Sequence, residues 1–228
     1  MTASRFDLVI FDCDGVLIDS EPIANRVHAQ TLAGCGCAVG EEELQDRFCG
    51  ISDAEMLATI EREWGRALPD DYARRIATAL ARHYRCSLKP IAGIAEALAG
   101  LSQPVCVASS GPPERIRLGL ETVGLYDGVH SHLFSASMVR RGKPAPDLFL
   151  YAAARMGVAP ERCLVIEDSP AGIEAARAAG MTAIGFCGGS HCRPGHAEWL
   201  KAGGAALVIA DMGELATAVA ELSDPGNR

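Results

Sequence analysis

Short apolar runs recur along the chain at residues 8–11, 105–108, 164–166, 182–186 and 206–209, each closed by polar, Gly or Pro residues. Within each run the apolar positions are consecutive, not alternate, the pattern of a strand buried on both faces of a parallel sheet. Helical periodicity occupies 94–101, 114–123, 146–156, 171–179, 198–201 and 212–222. Strand and helix in alternation predict an α/β fold built on a doubly wound parallel sheet.

Residues 19–87 break that rhythm. They carry no strand pattern, only helical periodicity at 23–33, 53–64 and 72–84, with a Gly-rich break at 34–40. This predicts an all-helical insertion after the first strand, leaving residues 1–18 and 88–228 as the core domain. Pro90 and Gly93 mark the return to the sheet. A polar tail from Ser223 onward is expected to fray.

The length of 228 residues suits one core domain with a modest insertion. Acidic residues (29) outnumber Lys and Arg (21), and the net charge of −8 disfavours nucleic-acid binding. No run approaches the roughly 18 apolar residues of a membrane span. Nine cysteines without a regular framework read as reduced thiols, so a cytoplasmic protein is expected. Lys89, Lys143 and Lys201 are the only lysines, so any chemistry that needs an ammonium has three candidates.

The first strand ends in Phe11-Asp12-Cys13-Asp14-Gly15, which sets two carboxylates at i and i+2, on the side opposite Cys13. Another strand ends in Glu167-Asp168-Ser169-Pro170, where Ser169 or Asp168 suits a helix N-cap and Pro170 the first helical position. Capping leaves Glu167 unexplained. In an open α/β sheet these strand ends share one edge, and such a set of carboxylates suits a hard cation such as Mg²⁺. The run Ser109-Ser110-Gly111-Pro112 offers hydroxyls and backbone N–H groups to an anion. Lys143, before Pro144 and Pro146 on a backbone expected to be extended, is a candidate clamp for phosphate or for an aspartate.

In this order, Asp12-x-Asp14-Gly15-Val16-Leu17, Ser109, Lys143 and Glu167-Asp168 resemble the four motifs of the haloacid dehalogenase superfamily of phosphohydrolases. The likeness covers nearly the whole chain. The segments 142–147 and 167–172 look like the subgroup that contains phosphoglycolate phosphatase, sugar-phosphate phosphatases and β-phosphoglucomutase. The resemblance implies a Rossmann-like core with a helical cap at 19–87. It implies Asp12 as nucleophile, Asp14 as general acid and base, and Ser109 and Lys143 on the transferring phosphoryl group. Backbone amides of Cys13, Ser110 and Gly111 would add donors, and Glu21, Arg47 and Gly50 would meet the substrate from the cap side. Mg²⁺ would be held by Asp12, the Asp14 carbonyl and Asp168, with Glu167 as a further ligand or partner. The substrate would be a small phosphorylated metabolite, and the enzyme a monomer or homodimer.

Departures narrow this further. Dehalogenases of the superfamily lack the second aspartate, which is present here as Asp14. Phosphonoacetaldehyde hydrolases need a cap lysine, and no lysine precedes Lys89. A phosphosugar mutase is the alternative, but its cap histidine and basic loop pair fall here on Ala24, Cys49 and Asp53. A non-catalytic phosphometabolite sensor has no need of Asp14. Outside these motifs, Cys187, His191, Cys192 and His196 are zinc ligands by type. Their spacing is not that of a familiar finger, and a loop bordering the crevice is expected instead.

Overall fold

The computed structural model describes residues 5–224, so the end of the polar tail lies outside the described residues. In chain order the elements are β1 (Leu8–Phe11), α1 (Glu21–Gly34), α2 (Glu41–Phe48), α3 (Asp53–Trp64), α4 (Tyr72–Ser87) and α5 (Ile94–Gly100). There follow β2 (Val105–Ser109), α6 (Pro113–Thr122), α7 (Tyr126–Val129), β3 (Leu133–Ser135), α8 (Asp147–Met156) and β4 (Cys163–Glu167). The chain closes with α9 (Pro170–Ala178), β5 (Thr182–Phe186), α10 (His196–Gly203), β6 (Leu207–Ile209) and α11 (Leu215–Ser223).

The six strands are parallel, in the order β3-β2-β1-β4-β5-β6. The chain winds outward from β1 through β2 to β3, then crosses back to β4 and winds the other way, which puts the topological switch between β1 and β4. Alternate residues face opposite layers. Leu8 and Ile10 pack with α8, α9 and α10 through Phe149, Ile173 and Leu200. Val9 and Phe11 pack with the other layer through Ile94, Ile116 and Leu215. Both faces of β1 are therefore buried, which is why its sequence is apolar without alternation.

Two elements depart from the expectation. β3 escaped the reading because three residues after His130-Ser131-His132 are too short to show a run. α2 escaped it because Glu41-Glu42-Glu43-Leu44-Gln45-Asp46-Arg47-Phe48 shows little apolar periodicity; among its residues Leu44 and Gln45 are buried.

Between β1 and α5 the chain is helical, as expected. α4 turns Tyr72, Ile76, Leu80 and Tyr84 inward at four-residue spacing, and this stripe joins Val27 and Leu32 of α1 and Met56 and Ile60 of α3. Burying each aliphatic or Met side chain of this set contributes about 1.5–3 kcal/mol. The entry and exit segments pair with each other: Asp19 N–H donates to Lys89 O at 2.9 Å and Ile91 N–H to Leu17 O at 3.0 Å. Among the described residues no helix is long and apolar enough to cross a membrane.

Candidate active site

Because β2, β1 and β4 are neighbours, their carboxyl ends bring Ser109, Asp12 and Glu167-Asp168 together. Asp12 N–H still donates to Ile166 O at 3.0 Å, so the β1–β4 ladder runs one residue past the strand and fixes Asp12 beside Glu167. The chain then turns tightly, with Gly15 N–H on Ile18 O at 2.8 Å and Leu17 N–H on Cys13 O at 2.9 Å. Cys13 points into the apolar core, as its odd position requires. Gly15 has φ +77°, and a Cβ there would lie 1.8 Å from Asp168 Oδ2, so only glycine lets this turn rest on Asp168.

Lys143 is fully buried and joins the three strand ends. Its Nζ donates to Asp12 Oδ1 at 2.8 Å, Glu167 Oε1 at 2.6 Å and Ala108 O at 3.1 Å, which uses all three of its protons. Burial acts to lower its pKa, but Asp12 and Glu167 outweigh it and hold the ammonium charged. The backbone here is not extended as expected. It turns, with Ala145 N–H on Gly142 O at 2.9 Å, and the Lys143–Pro144 bond is cis.

Three buried carboxyl side chains, Asp12, Glu167 and Asp168, cluster here, and the ammonium touches two of them, Asp12 and Glu167. Burial raises Asp12 well above the usual carboxylate range, and Lys143 opposes this less than burial and the neighbouring acids favour it. Asp168 is raised the same way, by burial and then by Glu167. Carboxylate oxygens of Asp12, Glu167 and Asp168 lie within 4.8 Å of one another. Asp168 Oδ2 is buried with no hydrogen-bond partner among the described residues. A hard, oxygen-preferring divalent cation fits this excess of negative oxygen donors.

Glu167 is less available to such a cation than the sequence suggested. Its Oε1 accepts from Lys143, and its Oε2 accepts from Ser169 N–H at 2.9 Å and Ser169 Oγ at 2.8 Å. Ser169 in turn caps α9, accepting from Gly172 N–H at 3.0 Å, with Pro170 at the first helical position as expected. Glu167 thus acts through Lys143 and Ser169.

Asp14 is held differently. Ser20 Oγ donates to its Oδ1 at 2.6 Å and Ser109 Oγ to its Oδ2 at 3.3 Å. Its carboxylate is thus engaged by two hydroxyls. Ser20 was missed because a serine before Glu21-Pro22 reads as a helix cap; it occupies that position but makes no capping bond. Gly111 N–H, expected to face an anion, is instead committed to Ser109 Oγ at 3.0 Å.

The helical segment closes on this edge through the loop after α2. Ser110 Oγ donates to Gly50 O at 2.9 Å. Gly50, at φ +78°, lies so close to Ser169 that a Cβ would sit 2.1 Å from its Oγ. Glu21, the first residue of α1, is partly buried, and burial, with the charges of Asp14 and Asp168, pushes its carboxyl up to about 8.

Arg47 is not at the site. It pairs with Glu43 and Glu63, each at 2.6 Å, on the outer surface of the helices and stacks on Phe48. The cation that reaches the site's neighbourhood is Arg115 of α6, which donates to Asp53 Oδ2 at 2.6 Å. Asp53 is held well below the usual range: burial would raise it, but Arg115 and His28 outweigh that. A cavity of about 810 Å³ runs between α3, α4 and α6, with Asp53, Leu80, Tyr84, Ser110 and Arg115 in its wall. Nothing in the spacing of Arg115 distinguished it from an ordinary helix residue. His191 and His196 also converge on Asp168, from the loop after β5 and the start of α10.

Comparison with known proteins agrees with this fold. The family model of haloacid dehalogenase-like hydrolases matches residues 6–180. A 6-phosphogluconate phosphatase of Escherichia coli is 33% identical over 192 residues, covering 84% of this chain and 87% of its own. A haloacid dehalogenase-like protein of unknown function from Agrobacterium tumefaciens superposes with a TM-score of 0.81 at 40% identity, over 96% of this chain and 100% of that one. A family hydrolase from Deinococcus radiodurans, solved with bound phosphate and sodium, gives 0.74 at 35% identity, over 96% and 97%. The motifs at the strand ends, the sheet that carries them and these likenesses agree, and the chain belongs to the haloacid dehalogenase-like hydrolases.

Proposed function

We propose that this hydrolase is a Mg²⁺-dependent phosphatase of small phosphorylated sugars or sugar acids, working through a phosphorylated Asp12. One observation carries the reading: two carboxylates two residues apart are held in opposite ways, Asp12 by a buried ammonium and Asp14 between two hydroxyls.

Lys143 fixes the rotation of the Asp12 carboxylate. An Asp12 oxygen attacks phosphorus, the bond from phosphorus to the ester oxygen breaks, and Asp14 gives its proton to the leaving alkoxide. Water then attacks the phosphorus of the aspartyl phosphate while Asp14 takes up a proton. Inorganic phosphate leaves and Asp12 is restored as a carboxylate. For Ser109 and Lys143 to donate to the phosphoryl oxygens as charge shifts onto them, Ser109 exchanges its bond to Asp14 Oδ2, and Lys143 its bond to Ala108 O, for one to the phosphoryl group. Asp12, the Asp14 carbonyl and Asp168 would hold Mg²⁺, which supplies positive charge to a dianionic substrate facing buried carboxylates.

Residues 19–87 act as a cap. The Gly50 loop, resting on Ser110 and Ser169, withdraws to admit substrate and returns to exclude water. The cavity beside it is large enough for a phosphorylated sugar, and its Arg115 suits a polar or carboxylate tail. The likeness to a 6-phosphogluconate phosphatase supports the same substrate class.

The test is phosphate release from sugar phosphates, sugar-acid phosphates, phosphoglycolate and an aryl phosphate, with Mg²⁺, with chelator, and with Asp12→Asn. Mg²⁺-dependent release that the substitution abolishes is expected. Release that persists in Asp12→Asn, with deamidation excluded by mass spectrometry, would overturn the mechanism.

A further inference from the structure

Asp168 faces two kinds of donor. On one side are the oxygens of Asp12 and Glu167; on the other are nitrogen and sulfur. His191, Cys192 and His196 offer one ligand atom each, all within 4.8 Å of one another. An overlapping group of Cys49, Asp168 and His191 satisfies the same limit. Of the four residues that looked like zinc ligands by type, Cys187 is diverted, with its Sγ on Ile209 O at 3.5 Å. The four lie close in sequence but in no familiar zinc spacing; the turn after Gly189 and the start of α10 bring His191, Cys192 and His196 together in the fold.

The hydrogen bonding around these residues is incomplete, at Asp168 Oδ2 facing the group and at His191 Nδ1. The His191 side chain is 1% exposed, yet its Nδ1 has no partner among the described residues. Its Nε2 lies 2.9 Å from Asp168 Oδ2 but outside hydrogen-bond alignment, so that oxygen is unpartnered too. Cys192 Sγ lies 3.5 Å from the same Nε2. Burying such groups unpaired costs free energy, unless a further group satisfies them. His196 Nε2 donates to the Asp168 backbone carbonyl at 2.6 Å, the kind of bond that orients a metal-binding imidazole. A separate cavity of about 250 Å³, bordered by His191, His196 and Trp199, gives an entry path.

We propose that His191, Cys192 and His196 form a second cation site, for a thiophilic divalent ion of the zinc class, with Asp168 Oδ2 as its fourth ligand. One sulfur, two nitrogens and one oxygen make a tetrahedral zinc set, with ligand atoms about 3.3–3.8 Å apart. Separations under 4.8 Å among His191, Cys192 and His196 need little movement to reach that, and Asp168 Oδ2 already stands 2.9 Å from His191 Nε2. Since Asp168 is also an oxygen donor of the acid cluster, filling the thiophilic site draws that carboxylate away and makes the ion an inhibitor. The inhibition rests on the phosphatase reading above; the site does not.

The experiment titrates cobalt(II), a thiophilic probe, into the full-length protein without Mg²⁺, which would otherwise hold Asp168 in the acid cluster. It reads the thiolate-to-cobalt band, which the sulfur-free acid cluster cannot give. The wild type should bind one thiolate-ligated cobalt per chain, with the intense visible bands of tetrahedral geometry and a near-ultraviolet thiolate-to-cobalt band, and zinc should displace it. Cys192→Ser should lose the thiolate band and about tenfold or more in affinity. Cys86→Ser, on the exposed face of α4, should keep both. Circular dichroism and melting of each variant establish that it is folded. No thiolate band in the wild type, or an unchanged band in Cys192→Ser, would overturn the site. Zinc should also slow Mg²⁺-supported phosphate release in the wild type and much less in Cys192→Ser; equal inhibition of both would overturn the shared role of Asp168 and leave the spectrum to decide the site.

Discussion

Lys143 Nζ stands 2.8 Å from Asp12 Oδ1 across 131 positions of sequence, and neither side chain is more than 6% exposed. Removing one partner of a buried ion pair strands the other, at a cost of about 3–5 kcal/mol. Lys143→Met should therefore lower the unfolding free energy from urea titration at pH 7 by that order and abolish phosphate release. Adding Glu167→Gln should restore part of the stability without restoring activity, since it removes one stranded charge and returns no ammonium to Asp12. Wild-type stability in Lys143→Met would show that the three carboxyls do not depend on this cation.

Asp14 is expected to matter most when the leaving group is a poor one. Asp14→Asn should cut turnover of sugar phosphates by about 10²–10⁴-fold, the range for lost acid–base catalysis. With an aryl phosphate, whose phenolate leaves without a proton, the first step should survive while hydrolysis slows. Phosphorylated Asp12 should then accumulate, visible by intact-mass measurement after rapid acid quench.

Arg115 and Asp53 join α6 to α3 at 2.6 Å, in the wall of the large cavity. Asp53→Asn keeps the shape of the pair and removes its charge. If the pair sets how substrate is held, KM should rise for sugar-acid phosphates with kcat little changed, and Arg115→Lys should do the same because a lysine lacks the planar fork. A fall in kcat at constant KM would place the pair in the chemical step instead.

The raised carboxyls make stability depend on pH in a definite direction. An acid whose folded pKa exceeds its unfolded value binds more protons folded than unfolded between the two, so stability falls as pH rises through that interval. For Glu21 the interval runs from 4.5 to about 8, and Asp12 and Asp168 are shifted in the same direction. Melting temperature measured with chelator should fall across this range, and Mg²⁺ should raise it most at the upper end, where the carboxyls are ionised. Glu21→Gln should flatten the upper part of the decline. A chelated protein whose melting temperature is constant over that interval would contradict the burial account.

Gly15 tests the fit between the first turn and Asp168. Gly15→Ala forces a side chain into φ +77° and places its Cβ 1.8 Å from Asp168 Oδ2. The backbone term alone costs about 1–2 kcal/mol. Mg²⁺ affinity, read by calorimetry, should weaken along with stability; unchanged affinity would mean that Asp168 does not hold the ion.

The strands of the central sheet were legible because each is buried on both faces, and burial on both faces leaves an apolar run that needs no partner to be recognised. β1 and β5 have the limits read from sequence, whereas β3 has too few residues to carry the signal. The acids were legible for a related reason: a charged residue directly after a buried strand is costly unless chemistry requires it, so Asp12, Asp14, Glu167 and Asp168 stand out. Lys143 stood out by scarcity.

What the sequence determined by itself is the set of strand-end residues and, through their order, the fold that gathers them. The tertiary structure decided which of them touch: that Lys143 serves Asp12 and Glu167 together, that Ser20 and not only Ser109 holds Asp14, that Arg47 turns outward while Arg115 turns toward the cavity, and that His191, Cys192 and His196 meet at Asp168. The physical reason is that burial and periodicity are local properties that each segment carries with it. A hydrogen bond or an ion pair between distant segments exists only once packing has fixed the distance and direction between them.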